Sequence, residues 1–170
     1  MRGGIPLDPQ IEGGGQERGI RAGTVNVAGV VALATALQIT HDRRSEETKR
    51  IAALRDRLRD GLTSAVSGAF VNGAPEHATA GHLHIGFPGV ESEALLVMLD
   101  QRGVYAAAGS SCSSGATEIS HVLAAMGMSK DDATASIRLS LGYASTDADV
   151  DAALDAITRA VQRLRTSMRA

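Results

Sequence analysis

The chain has no tryptophan and only four aromatic residues, Phe70, Phe87, Tyr105 and Tyr143, 2% of its 170 residues. Stacking platforms for single-stranded nucleic acid are therefore nearly absent. It has a single cysteine, Cys112. One thiol makes no internal disulfide and no four-cysteine metal site. It also lacks an excess of either charge: 17 basic against 19 acidic residues leave a net charge of -2, and nothing argues for a polyanionic partner. No apolar run approaches the roughly 20 residues of a membrane helix. The start, Met1-Arg2-Gly3-Gly4-Ile5-Pro6, has no apolar core of a secretion signal. These absences lead to the expectation of a soluble cytoplasmic protein that touches neither membrane nor nucleic acid. No internal repeat is visible. With 44% hydrophobic residues, a chain of this length suits one domain or a large piece of a bigger one. It buries roughly 70% of its unfolded surface.

Residues 1–24 are glycine-rich and weakly periodic, and read as extended chain and loop. From Asn26 to Gln38 the run Val27, Val30, Val31, Leu33, Ala34 and Leu37 is apolar on most sides, which predicts a largely buried helix capped by Thr24 or Asn26. A second helix is predicted over 44–66, where Ile51, Leu54, Leu58, Leu62 and Val66 recur at spacings of three and four. Leu83, Ile85 and Phe87 alternate in a short strand. Ser92 caps a helix ended by Gly103. Val104-Tyr105 is a candidate strand, 118–126 a helix stopped at Gly127, and Ser136 to Leu141 another strand, with Ser136, Arg138 and Ser140 on one face. The last helix begins at Thr146, with Asp149 as its capping-box partner. Helices and short strands without a βαβ rhythm give an α+β layer fold.

Three segments can carry chemistry. The first is Gly13-Gly14-Gly15-Gln16-Glu17-Arg18-Gly19-Ile20-Arg21-Ala22-Gly23-Thr24-Val25-Asn26. It runs to a helix N-terminus, where free N–H groups favour an anion, and Thr24, Arg18 and Arg21 are what a phosphate wants. A plain glycine-rich turn before a capped helix has the same pattern. The second surrounds the thiol, Ala106 to Ala116, all small residues. A nucleophilic cysteine must lose its proton. The nearest candidate base in sequence is His121, and an inert small hydrophobe is the alternative. The third is Arg138 between two serines, either a two-pronged carboxylate fork or a solvated arginine on an edge strand. His82 and His84 share a strand face, which reads as polar surface rather than as a metal pair because no third ligand is near.

Taken together, Gly13 to Thr24, Gly109-Ser110-Ser111-Cys112-Ser113-Ser114-Gly115, Ser120-His121-Val122-Leu123 with Met126-Gly127, and Ser136-Ile137-Arg138-Leu139-Ser140-Leu141-Gly142 resemble the C-terminal part of a cysteine desulfurase. These enzymes use pyridoxal phosphate (PLP) and belong to the class V aminotransferase group, and the serine-rich cysteine loop resembles the iron–sulfur-assembly branch. The resemblance implies the small C-terminal domain of the aspartate-aminotransferase-like fold over residues 25–170, with 1–24 as the joint to a PLP-binding large domain. It implies that Cys112 attacks the sulfur of PLP-bound L-cysteine and becomes a persulfide, leaving alanine. Arg138 would hold the substrate carboxylate, and Thr24 the PLP phosphate of the neighbouring subunit in a homodimer. The persulfide would pass to an iron–sulfur scaffold or another acceptor protein. Ile119, where the family usually has proline, and His82, where it commonly has asparagine, are local departures.

One departure is larger. The family anchors PLP on a lysine in a Ser-His-Lys motif upstream of the glycine-rich segment, whereas this sequence offers only Lys49 and Lys130, neither in that context. The chain is therefore expected to be the C-terminal half of such an enzyme, inactive alone. Selenocysteine lyase, another class V enzyme, or a non-enzymatic sulfur carrier are the alternatives.

Overall fold

A computed structural model describes residues 6–74, 77–108 and 120–167. The chain divides into two units, Met1–Arg44 and Ser45–Ala170. Helix α1 (Val27–Ala65) lends its first part to one and its last part to the other.

In the Met1–Arg44 unit, a 3-10 turn at Gln16–Gly19 sits inside a loop closed by two hydrogen bonds: Ala22 N–H donates to the Ile11 carbonyl (3.2 Å) and Gly23 N–H to Gln16 Oε1 (3.2 Å). Glu17 and Arg18 take left-handed backbone angles (φ 51° and 59°), which bulky side chains seldom adopt. The glycine-rich segment is thus a closed loop rather than extended chain. Asn26, not Thr24, caps α1, its Oδ1 accepting from Gly29 N–H at 2.9 Å.

The sequence pattern divides α1 into two helices and buries the first. The structure instead shows one helix of 39 residues. Nothing between Gln38 and Arg44 breaks a helix, because no glycine or proline falls there and Gln38 bonds Asp42 across one turn (2.8 Å). Val27, Val30, Val31, Leu33 and Leu37 are between 58% and 65% exposed rather than buried.

The Ser45–Ala170 unit builds the core. Its sheet has three antiparallel strands in the order β1 (Phe70–Val71), β2 (His82–Gly86) and β3 (Ser136–Ser140). One face carries Leu83, Ile85, Ile137 and Leu139. It shares the core with Leu54, Leu58 and Leu62 of α1, with Leu95 and Leu99 of α2 (Ser92–Asp100), and with Val150, Ile157 and Val161 of α5 (Asp147–Ser167). Where α1 and α5 meet, a Cβ at Gly61 would lie 2.6 Å from a Leu154 methyl, so a larger residue there would force that side chain to move. Two short helices, α3 (His121–Ala125) and α4 (Lys130–Thr134), precede β3. The capping box at α5 forms as its spacing predicts: Thr146 N–H donates to Asp149 Oδ2 (2.8 Å) and Asp149 N–H to Thr146 Oγ1 (3.3 Å).

Smaller corrections follow from packing. Ser92 is the buried first residue of α2 and Glu91 takes the cap position. Val104-Tyr105 forms no strand. The extended pairing falls two residues later, at Ala107. β1 and α4 are too short for a periodic signal.

Candidate active site

The sheet face opposite the core carries polar and charged side chains. Alternation turns His82 and His84 of β2 and Arg138 and Ser140 of β3 to the same side, and the register sets His84 directly opposite Arg138 and His82 opposite Ser140. Arg138 is not on an open edge. Its N–H donates to the Ala107 carbonyl (2.6 Å) and its carbonyl accepts from Ala107 N–H (3.1 Å). This pair ties the backbone of Arg138 to the segment that leads into the cysteine motif.

Arg138 is half-buried, and among the described residues no carboxylate pairs with it. Several other arginines of this unit have partners. Arg55 and Arg59 pair with aspartates of α1. Arg50 donates to the carbonyls of Ser145 (2.6 Å) and Tyr143 (2.9 Å), and Arg165 to that of Pro88 (2.8 Å), holding elements together.

Beside it lies a polar cluster that the sequence does not announce. Asn72 Nδ2 lies 2.6 Å from His84 Nδ1 and 2.9 Å from Ser136 Oγ, and Ser136 Oγ donates to the Asp132 carbonyl (2.7 Å). Burial, then the nearby charges of His82 and Arg138, holds the His84 imidazole below its ordinary pKa. The alternation around Leu83 and Ile85 signals which face His84 takes. Its neighbours depend on strand register and stay hidden in the sequence.

The remaining expected residues are scattered. Thr24 is exposed in the Met1–Arg44 unit just before α1, and its carbonyl accepts from Arg21 Nη1 at 3.2 Å. Hydroxyl, guanidinium and helix N-terminal N–H groups suit a phosphate. Lys49 on α1 and Lys130 at the start of α4 are both exposed, unlike an amine enclosed to hold an aldehyde. His121 is exposed at the start of α3. Cys112 lies outside the described residues. Among the described residues, no three His, Cys, Asp or Glu side chains gather as metal ligands, and no helix is long and apolar enough to cross a membrane.

A polar sheet face opposite a helix-covered face, on an α+β unit, is the architecture of the small domain in PLP-dependent aminotransferase-fold proteins. The chain belongs to the aminotransferase class-V family, whose model matches residues 7–153. It is 45% identical over 166 residues to an IscS-like cysteine desulfurase of Mycobacterium tuberculosis, covering 97% of this chain and 42% of that protein. It is 40% identical over 165 residues to cysteine desulfurase IscS of Methanosarcina thermophila, covering 97% and 41%. Among solved structures it superposes on a NifS-like protein with a TM-score of 0.78 at 34% identity, over 96% of this chain and 41% of that one. The chain thus spans about two fifths of the relatives it matches.

Proposed function

We propose that this chain supplies the thiol and the carboxylate grip of a PLP-dependent cysteine desulfurase. The observation that carries the reading is the pair of backbone hydrogen bonds between Ala107 and Arg138. It ties the residue five before Cys112 to the strand that carries Arg138, whose guanidinium has no carboxylate partner among the described residues. Cys112 follows Ala107 by five residues, a chain length that reaches at most about 18 Å. A tether of that length lets the thiol reach the neighbourhood of Arg138.

The roles follow from the chemistry. Arg138 holds the carboxylate of L-cysteine in a bidentate bond and so orients the amino acid. The Cys112 thiolate attacks the substrate sulfur. The new S–S bond forms as the substrate Cβ–S bond breaks, and the electron pair returns to the substrate carbon. Protonation there gives alanine, and Cys112 is left as a persulfide. PLP, when bound, supplies the electron sink that makes this bond cleavage possible. Its phosphate would meet Thr24, as would fit a dimer in which one chain completes its neighbour's site, while its lysine anchor lies outside this sequence. The persulfide then passes to a thiol of an acceptor protein such as an iron–sulfur scaffold.

The test is made in the enzyme that contains this chain together with its PLP-bearing part. Substituting Arg138→Lys keeps the charge but removes the fork, and is expected to raise KM for L-cysteine by about tenfold or more. Cys112→Ala should abolish sulfide release and the one-sulfur mass gain on the cysteine peptide. An unchanged KM in the first variant, or persistent turnover in the second, overturns the reading.

A further inference from the structure

We propose that His84 is a positioning residue for Arg138: a neutral imidazole, locked in its Nε2–H form by a chain of hydrogen bonds, that flanks the guanidinium and confines it for carboxylate binding. This rests on Arg138 being the carboxylate-binding group.

The polarity of the chain is fixed at one end by a group that can only accept. The Asp132 carbonyl takes the hydroxyl hydrogen of Ser136 (2.7 Å). The Ser136 oxygen, fully buried, must then be an acceptor toward Asn72, at 2.9 Å, so the amide end facing it is the NH2 group. That NH2 has a second hydrogen, which points at His84 Nδ1 2.6 Å away. Nδ1 is therefore bare and the ring hydrogen resides on Nε2. A proton added at Nδ1 would face another donor and find no acceptor. The backbone reinforces the arrangement, because Asn72 N–H donates to the His84 carbonyl at 2.9 Å.

The charged groups around the ring oppose protonation as well. Arg138 faces it from β3 and His82 from its own strand. Asn72, beyond the end of β1, is neutral, and the Asp132 carboxylate of α4 is engaged by the Ser129 hydroxyl (2.7 Å). Cross-strand partners of this kind sit with Cβ atoms about 4.5–5.5 Å apart. A planar neutral ring at that distance lets a guanidinium lie against it, whereas an imidazolium would repel it. The network thus serves a purpose that a solvated histidine could not.

Two measurements test this. In nitrogen-15 spectra of the histidine-labelled full chain, His84 should show the Nε2–H form at neutral pH and titrate below its ordinary range. Asn72→Asp should raise that titration point. A Nδ1–H form, or an ordinary titration point in the unsubstituted chain, overturns the proposal. In the PLP-loaded enzyme, His84→Ala should raise KM for L-cysteine about threefold to tenfold with kcat within about twofold. His84→Phe, a neutral flat ring, should restore most of the loss. If Arg138→Lys raises KM and His84→Ala does not, the positioning role fails while the role of Arg138 stands. If neither raises KM, the reading of Arg138 itself has failed.

Discussion

Single residues in this chain show how much a local hydrogen bond decides. Asp149 is exposed, yet its carboxylate is held below the ordinary range, first by the Thr146 hydroxyl and then by the Thr146 N–H. A carboxylate whose folded pKa is depressed adds stability above its unfolded pKa, and that stability is lost as pH falls through the folded value. The Thr146→Ala variant should therefore melt below the unsubstituted chain at neutral pH. The gap should narrow as pH falls below the ordinary carboxylate range toward the lower, folded-state pKa of Asp149, leaving what the Asp149 N–H bond to the Thr146 hydroxyl contributes. Thermal unfolding followed at a series of pH values checks this. A gap that does not change with pH would mean that the cap does not act through the Asp149 charge. The pair was legible in sequence, because a capping box is a spacing of three residues. His84 was not: its residue type is visible, but Asn72 reaches it from beyond the end of β1, backed by Ser136 and Asp132 some fifty residues past it in the chain.

At the scale of elements, α1 separates helix formation from burial. Its sequence is helical throughout, but its two parts meet different surroundings. Val30 is 58% exposed, whereas Leu58 is 2% exposed within the core. Val30→Glu should change stability by no more than about 0.5 kcal/mol, and Leu58→Glu should cost about 4 kcal/mol or more, because it places an unpaired charge in an apolar interior. Denaturant unfolding of the two variants provides the comparison, and similar losses would show that the first part of α1 is packed after all. An apolar stripe read along one sequence predicts that a face seeks cover, without saying whether the cover is present. The short strands teach the same lesson from the other side. Alternation revealed β2 and β3, but β1, two residues long, exists only because Phe70 and Val71 find Gly86 and Ile85. A Cβ at Gly86 would strike the Phe70 ring at 2.2 Å, so the pairing depends on that glycine.

For the molecule as a whole, the question is what this chain does by itself. Both lysines are exposed on helices, and the chain covers 42% of its Mycobacterium tuberculosis relative. Supplied with PLP and L-cysteine, the isolated chain should release no sulfide above a control with PLP alone. Steady turnover would show that an anchor other than a buried lysine suffices. Mixing the chain with an active desulfurase and L-cysteine tests the separate idea of a sulfur carrier, read as a one-sulfur mass gain on Cys112.

The sequence by itself determined the family resemblance, the α+β class and the helices with strong periodicity. Motif spacing, apolar period and caps are all written within a few residues of one another. The tertiary structure alone decided that Ala107 lies against Arg138, that His84 stands across from it beside Asn72, and that the first turns of α1 are exposed. Those facts depend on which strand pairs with which and in what register. That choice is made by the shared core of Leu54, Ile85, Ile137 and Ile157, whose outermost members lie 103 residues apart.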